Sequence, residues 1–329
     1  MSRPLLVSAS YDQNIRLWDV VTASPVESFA HKESQVNVMQ FSPDGCQLAV
    51  AGWQHIRIYD IQSCPPAIVG TCDSLIKNVM SIGFEERSQW LYTGGEDCTA
   101  KVWDYRCSLQ CQRIFQVSAP VNWVALHPNQ VVLVVADSSG ALYMWDLRRD
   151  SSETLSSFEL DIAEYIAHVD VSRSGEHLVA ITNRGKVLLW ALGPADPSPT
   201  SAVILPMNLK AKVAGHSKYG LSCRFAPNSN HFATTAADGY VNLWGFDDVP
   251  KPLQTLSLDD ETTKAACTSP SVKVEAKWVW DCAYTNDSTK LFTASGSQLR
   301  LWDLEKSQVI RQYQGHSKTV TAMAFRDTS

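Results

Sequence analysis

Seven aromatic residues, each closing a short apolar run, recur along this 329-residue chain: Trp18, Tyr59, Trp103, Trp145, Trp190, Trp244 and Trp302. Successive members are separated by 41, 44, 42, 45, 54 and 58 residues, and five are followed directly by Asp (Asp19, Asp60, Asp104, Asp146 and Asp303). A period of about 40–45 residues with a Trp-Asp ending is the pattern of a four-stranded propeller blade. One such unit cannot bury its apolar face alone, so units must stack, and seven of them close into a ring. The spacing predicts an all-β, seven-bladed WD-repeat propeller occupying residues 1–329 as a single domain, with blades one to seven taken in the order of those aromatics.

Within a unit the pattern has period two. Residues 91–104, LYTGGEDCTAKVWD, give an apolar run, a turn at Gly94-Gly95-Glu96-Asp97 and a second alternating run, which is a hairpin. The same arrangement recurs at 5–19, 48–60, 132–146, 178–190, 232–244 and 291–303. A further apolar run precedes each hairpin, for example 36–44, 121–128, 221–227 and 279–287, and is predicted to line the channel. Helical repeats have overlapping periods. They are disfavoured because Val, Ile, Thr and aromatics dominate the runs, Gly and Pro interrupt them often, and no 3.6-residue period is sustained.

Polar residues sharpen the assignment. His216, Thr234, Asp238 and Trp244 stand where a WD unit places a buried hydrogen-bonded set, Asp accepting from His and Ser/Thr linking His to Trp. A second complete set is split between the chain ends: His316 near one, and Ser8, Asp12 and Trp18 near the other, with the same internal offsets. This predicts that residues 319–325 supply the inner strand of a blade whose other strands come from residues 5–30, a closure that removes open sheet edges. The remaining blades depart from the pattern. Blade three has Leu75 where His is expected, blade two has His31, Trp53 and Tyr59, and blades four, five and seven carry Ser139, Arg184 and Gly296 near the turn position, so their hairpins are expected to rely more on packing. Two long connections, 191–212 and 257–277, read as surface excursions. The second holds Ser269-Pro270, a phosphorylation candidate of a very common type.

Several function classes are disfavoured. Charged residues make up 19%, the net charge is −6, and Lys and Arg form no run, so there is no nucleic-acid footprint. No segment approaches the roughly 18 uninterrupted apolar residues of a membrane span, and the start MSRPLLVSASYDQ lacks a long apolar signal core. Nine scattered cysteines read as free thiols in a reducing, cytoplasmic setting. No glycine-rich nucleotide loop or nucleophile elbow is present, Cys107 and Cys111 lack the second pair a zinc site needs, and the remaining histidines, His31, His55, His127, His168, His177 and His231, share no metal spacing. No catalytic residue, metal or cofactor is therefore expected. His216 and Asp238 are read as structural, because two active sites with one arrangement would be improbable. An enzymatic propeller would need carboxylates or histidines converging in the channel, whereas the inner runs are mostly Val, Met, Cys, Ala and Phe.

A propeller of this kind works as a platform, and the repeat register locates its rim. The positions flanking each inner strand are Gln35 and Asn37, Asn78 and Met80, Pro120 and Asn122, Tyr165 and Ala167, Tyr219 and Leu221, Trp278 and Trp280, Thr319 and Thr321. The turn series adds Tyr11, Trp53, Glu96, Ser138, Ala237 and Ser295. Tyr11, Trp53, Tyr165, Tyr219, Trp278 and Trp280 make this rim aromatic, the composition of interface anchors. The competing reading packs the two tryptophans under the connection before them and uses the Asn residues as caps.

The segments AGWQHIRIYD (51–60), YTGGEDCTAKVWD (92–104), LQCQRIFQVSAPVN (109–122), HPNQ (127–130) and GHSKYGLSCRFAP (215–227) resemble the G-protein-β-like WD-repeat subunit of target-of-rapamycin kinase complexes, blade for blade. The resemblance implies a monomeric, non-catalytic propeller that binds and stabilises the catalytic domain of a phosphatidylinositol-3-kinase-related kinase, restricts entry to its cleft, and serves both assemblies built on it, in the cytoplasm or peripherally on endomembranes. It also implies partner contact at Gln35, Trp278 and Trp280. The 191–212 and 257–277 connections, Trp53 and Trp123 depart from the family. The alternative is a WD-repeat adaptor for another client, such as a ubiquitin-ligase substrate receptor or a G-protein-β-type subunit; the latter would want an amino-terminal coiled coil, which a hairpin starting by residue 5 leaves no room for.

Overall fold

A computed structural model describes residues 4–106, 109–149, 151–155, 160–194, 205–246, 252–258 and 278–327. Cys107, Ser269-Pro270 and most of the two long connections lie outside the described residues. The chain forms seven antiparallel four-stranded sheets, the blades of a seven-bladed β-propeller. The described residues contain no helix, hence none long and apolar enough to cross a membrane.

The inner strands are Val36–Phe41, Val79–Phe84, Val121–Leu126, Ile166–Val171, Gly220–Phe225 and Val279–Tyr284 for blades two to seven. Blade one takes its inner strand from the other end of the chain: Val320–Arg326 pairs with Leu5–Ser10, followed outward by Asn14–Asp19 and Pro25–Ala30. The ring is thus shut by hydrogen bonds between first and last strands, with Ser8 opposite Met323. Burial explains why closure is favoured. The apolar side chains gather into six clusters at the faces between neighbouring blades, and one joins Leu6 and Trp18 to Leu291, Tyr313 and Met323. All seven closing aromatics are buried, Trp18, Trp145 and Trp190 completely. An open ring would return such a face to water, at about 25 cal/mol for each Å² of apolar surface.

Both complete polar sets form continuous relays. Trp18 Nε1–H donates to Ser8 Oγ (2.8 Å), Ser8 Oγ lies 2.7 Å from His316 Nε2, and His316 Nδ1 lies 2.9 Å from Asp12 Oδ2. In blade six the corresponding distances are 2.8 Å from Trp244 to Thr234, 2.8 Å from Thr234 to His216 and 3.2 Å from His216 to Asp238.

Two sequence expectations need correcting. Hairpins that depart from the pattern do not rely on packing alone. In blade two, His55 Nδ1–H donates to Trp53 O (2.8 Å), leaving its Nε2 to accept from His31 Nε2–H (2.9 Å), while Tyr59 O–H donates to His31 Nδ1 (3.0 Å). In blade four the buried Asp137 carboxylate accepts from Ser139, Ala141 and Tyr143. In blade five Glu164 accepts from Thr182 (2.8 Å) and pairs with Lys186 (2.9 Å). Any acceptor that reaches the turn satisfies its buried donors, so residue type alone conceals the substitution. The 191–212 connection is also shorter than expected. Residues 191 and 192 end the strand Lys186–Leu192, which pairs with the outer strand Met207–Ala214. That outer strand buries little, so it lacks the apolar alternation that marks a strand in sequence.

Candidate partner-docking site

Each inner strand carries a β-bulge at the same register. Val121 and Trp123 pair with consecutive residues Asp137 and Ala136, so Asn122 is the extra residue. Equivalent shifts single out Asn37, Met80, Ala167, Leu221 and Trp280, and in blade one the paired residues Val320 and Ala322 leave Thr321 extra. A bulge re-aims the side chain it inserts. Here it sends one residue per blade to a shared cavity of about 360 Å³ at the channel mouth, lined by all seven bulge residues.

In five blades the turn braces the start of the inner strand. Backbone N–H groups of Tyr11, Glu96, Ser138, Asn183 and Ala237 donate to the carbonyls of Thr319, Asn78, Pro120, Tyr165 and Tyr219 at 2.8–3.0 Å. Tyr11, Tyr165 and Tyr219, held by these braces, stand around the cavity with Trp278, Trp280 and Gln35. Trp278 and Trp280 are tilted against one another with centroids 5.2 Å apart, and Tyr11 meets Trp280 edge-on at 6.5 Å. The Tyr165 and Tyr219 hydroxyls are 2.9 Å apart. Tyr11, Tyr219 and Trp278 are 36–38% exposed, whereas Tyr165 and Trp280 are half-buried.

Eight of the sequence-derived rim residues are absent from this lining, and three of them, Trp53, Asn78 and Glu96, lie beside the cavity. They remain connected to it. Gln35 Nε2–H donates to Asn37 Oδ1 (3.1 Å), Asn37 Nδ2–H to Asn78 Oδ1 (3.1 Å), and Asn78 Nδ2–H to Glu96 Oε2 (3.2 Å). Trp53, 48% exposed, bridges backbone-to-backbone with Asn78. Pro120, Thr319, Ser138, Ala237 and Ser295 serve the braces and strand ends, not the lining.

The floor was not legible in the sequence, and the expectation of an inner wall without converging carboxylates or histidines is overturned. Trp123 stacks on His168 with centroids 3.8 Å apart, and the Arg224 guanidinium sits over the Trp123 ring, 5.5 Å from its centroid. Asp281 accepts from Ser222 Oγ (3.2 Å) and from the Cys282 N–H (2.9 Å), and Asp170 accepts from the Phe225 N–H (2.7 Å). Burial raises both carboxyls above their ordinary range, with Arg224 acting against the rise. Burial opposes the charge of Arg224 too, but Asp281 and Asp170 hold the guanidinium ionised. Trp123 also lines a second, polar cavity of about 570 Å³ beyond the waist, so the mouth is a cup with a floor. Trp123, His168, Ser222 and Asp281 each follow a bulge residue, and only the bulge explains why they turn toward the channel.

Cys223 Sγ lies 3.4 Å from His168 Nδ1, the reach of a nucleophile and its base. Its surroundings oppose that role. Burial drives the thiol well up and the imidazole well down, so the thiolate–imidazolium pair is disfavoured, and both residues are at most 2% exposed. Among the described residues, no group of three or more His, Cys, Asp or Glu could hold a metal ion.

Comparison with known proteins agrees with this architecture. The WD domain, G-beta repeat model matches residues 2–19, 23–60, 70–104, 207–245 and 270–303. The chain is 39% identical over 326 residues to the Bos taurus protein named target of rapamycin complex subunit LST8, covering 98% of this chain and 95% of that one. It is 35% identical over 326 residues to a Drosophila melanogaster LST8 homolog, covering 98% and 96%. The Saccharomyces cerevisiae target of rapamycin complex subunit LST8 is 34% identical over 323 residues, covering 98% and 99%. With identity sustained around the whole ring, the chain belongs to the LST8 family of WD-repeat proteins.

Proposed function

We propose that this chain is a non-catalytic subunit of target of rapamycin complexes, binding the catalytic domain of the kinase through the aromatic cup and holding that domain in its active arrangement. The observation that carries the reading is the set of seven aligned bulges, which aim one side chain per blade at a single mouth ringed by Tyr and Trp. Rigid aromatics at a partly exposed cup lose little conformational freedom on binding, which is why Trp and Tyr dominate interface energetics. The names of the relatives identify the assembly. On this reading the propeller is a monomer by itself, works in the cytoplasm, reaches endomembranes only through its complex, and serves both complexes built on the kinase.

The test is replacement of Trp278 and Trp280 by Ala. Trp278 is exposed and Trp280 is a half-buried bulge residue, so melting should change by no more than a few degrees while co-purification of the kinase is lost. Retention of the kinase at the wild-type level would remove the cup from the reading.

A further inference from the structure

The described residues of the face that bears the cup have a charge pattern opposite to that of the whole chain. Antiparallel order puts two sets of loops at this end of every blade: those entering the inner strand and those joining the second strand to the third. Among the described residues, most carboxylates in these loops are engaged internally, by an ion pair or by hydrogen bonds. Arg57 pairs with both Glu33 (2.5 Å) and Asp73 (2.6 Å), and Lys186 with both Asp161 (2.5 Å) and Glu164 (2.9 Å). Asp97 pairs with Lys101 (2.5 Å) and Asp12 with Arg16 (3.3 Å), while Asp238 is engaged by hydrogen bonds from His216 (3.2 Å) and the Ser217 N–H (3.0 Å). Glu96 is bound to the Asn78 amide.

Among the described residues of these loops, four lysines remain. Lys32, Lys77, Lys218 and Lys318 are exposed and make no ion pair among the described residues, each standing in the loop that leads into an inner strand. Lys218 adjoins Tyr219, and Lys77 adjoins Asn78. The Lys318 carbonyl accepts from Ser10 Oγ (2.9 Å), beside Tyr11. An acidic chain of net charge −6 therefore presents an aromatic cup set among four cations that have no ion-pair partner among the described residues.

We propose that this face docks an acidic segment of its protein partner, one that seats an apolar or aromatic side chain in the cup while Asp and Glu residues beside that anchor lie over Lys32, Lys77, Lys218 and Lys318. The inference rests on the reading of the cup as the kinase-docking site and adds the chemistry of what enters it. The two components act on different steps. Exposed cations outside a desolvated centre contribute mainly to encounter, raising the association rate through long-range attraction that salt screens over about 8–10 Å. The aromatic anchor is desolvated in the cup and governs dissociation.

The experiment measures association and dissociation of the purified kinase catalytic domain against the full propeller at two or more salt concentrations. It compares wild type, the quadruple variant K32E/K77E/K218E/K318E, its Lys→Gln counterpart, and W278A/W280A. In low salt, the Lys→Glu variant should associate at least about ten-fold more slowly with a flattened salt dependence, and the Lys→Gln variant should fall between it and wild type. W278A/W280A should instead dissociate faster. The lysines are solvent-exposed, and unchanged melting of both lysine variants verifies the fold. If wild type binds the kinase and the lysine variants match it at every salt concentration, the acidic-segment inference is overturned while the docking reading stands. If wild type fails to bind the kinase, the docking reading itself fails. A third arm uses phosphatidylserine–phosphatidylcholine vesicles: flotation of wild type that the Lys→Glu change abolishes, with kinase association unaltered, would assign the lysines to a lipid surface and overturn the proposal.

Discussion

One carboxylate reinforces ring closure, and its removal has a calculable consequence. Asp12 accepts from His316 Nδ1–H (2.9 Å), the Ser317 N–H (3.1 Å), the Asn14 N–H (3.0 Å) and Arg16 Nη1 (3.3 Å). In Asp12→Ala the exposed Ser317 amide rehydrates and Arg16 turns to solvent, but His316 is 7% exposed and its Nδ1–H is left without an acceptor. An orphaned buried donor costs about 1–3 kcal/mol, and loss of a hydrogen bond to a charged acceptor lies at the upper end. With the Asn14 bond also lost, Asp12→Ala should destabilise by about 2–4 kcal/mol in equilibrium urea unfolding, and Asp12→Asn, which keeps an acceptor oxygen, by about 1 kcal/mol. Asp238→Ala removes the same relay from blade six and should cost a similar amount. The two differ in place. Only Asp12→Ala unties the strand that joins the chain ends, so hydrogen exchange should quicken selectively at residues 320–326. Although burial opposes its charge, Asp12 is held below the ordinary carboxylate range by His316 and backbone N–H donors. Its contribution is thus present above the unfolded carboxyl pKa and disappears as pH falls through the folded one. Stability of Asp12→Ala within about 0.5 kcal/mol of wild type, a spread ordinary for inert surface changes, would refute this account of closure.

Blade two carries a pH dependence of its own. Burial, then the neighbouring His55, push the His31 pKa from 6.5 to about 4, so the unfolded chain takes up a proton between those values and the native state does not. Stability should fall by up to about 3 kcal/mol as pH drops through that window, and His31→Gln should flatten the profile measured by urea unfolding at pH 7.5 and 5. Thr93→Val keeps shape but strands the buried Trp103 Nε1–H that now donates to Thr93 Oγ1 (2.9 Å), with an expected loss of about 1–3 kcal/mol. Thr93→Ser should restore most of it, and equal urea midpoints for all three proteins would deny the bond a role.

The amino-acid order alone determined the ring, because a buried aromatic at each blade's end and alternation on both sides of its turns are local, periodic requirements. Trp18, Trp244 and their partners also announced the two relays, since spacing along a hairpin fixes which side chains meet across it. Linear order could not disclose the bulges, because one inserted residue reverses every side-chain direction after it without altering composition. Asn122 and Trp123 read as consecutive positions of a strand, yet one reaches the mouth and the other makes its floor. The acceptors of blades two, four and five were equally hidden, as Glu164 and Thr182, 18 residues apart in sequence, meet only when the chain folds back. Which lysines lack a counter-charge was decided last, by where Arg57 and Lys186 point, and that is a property of packed side chains in three dimensions.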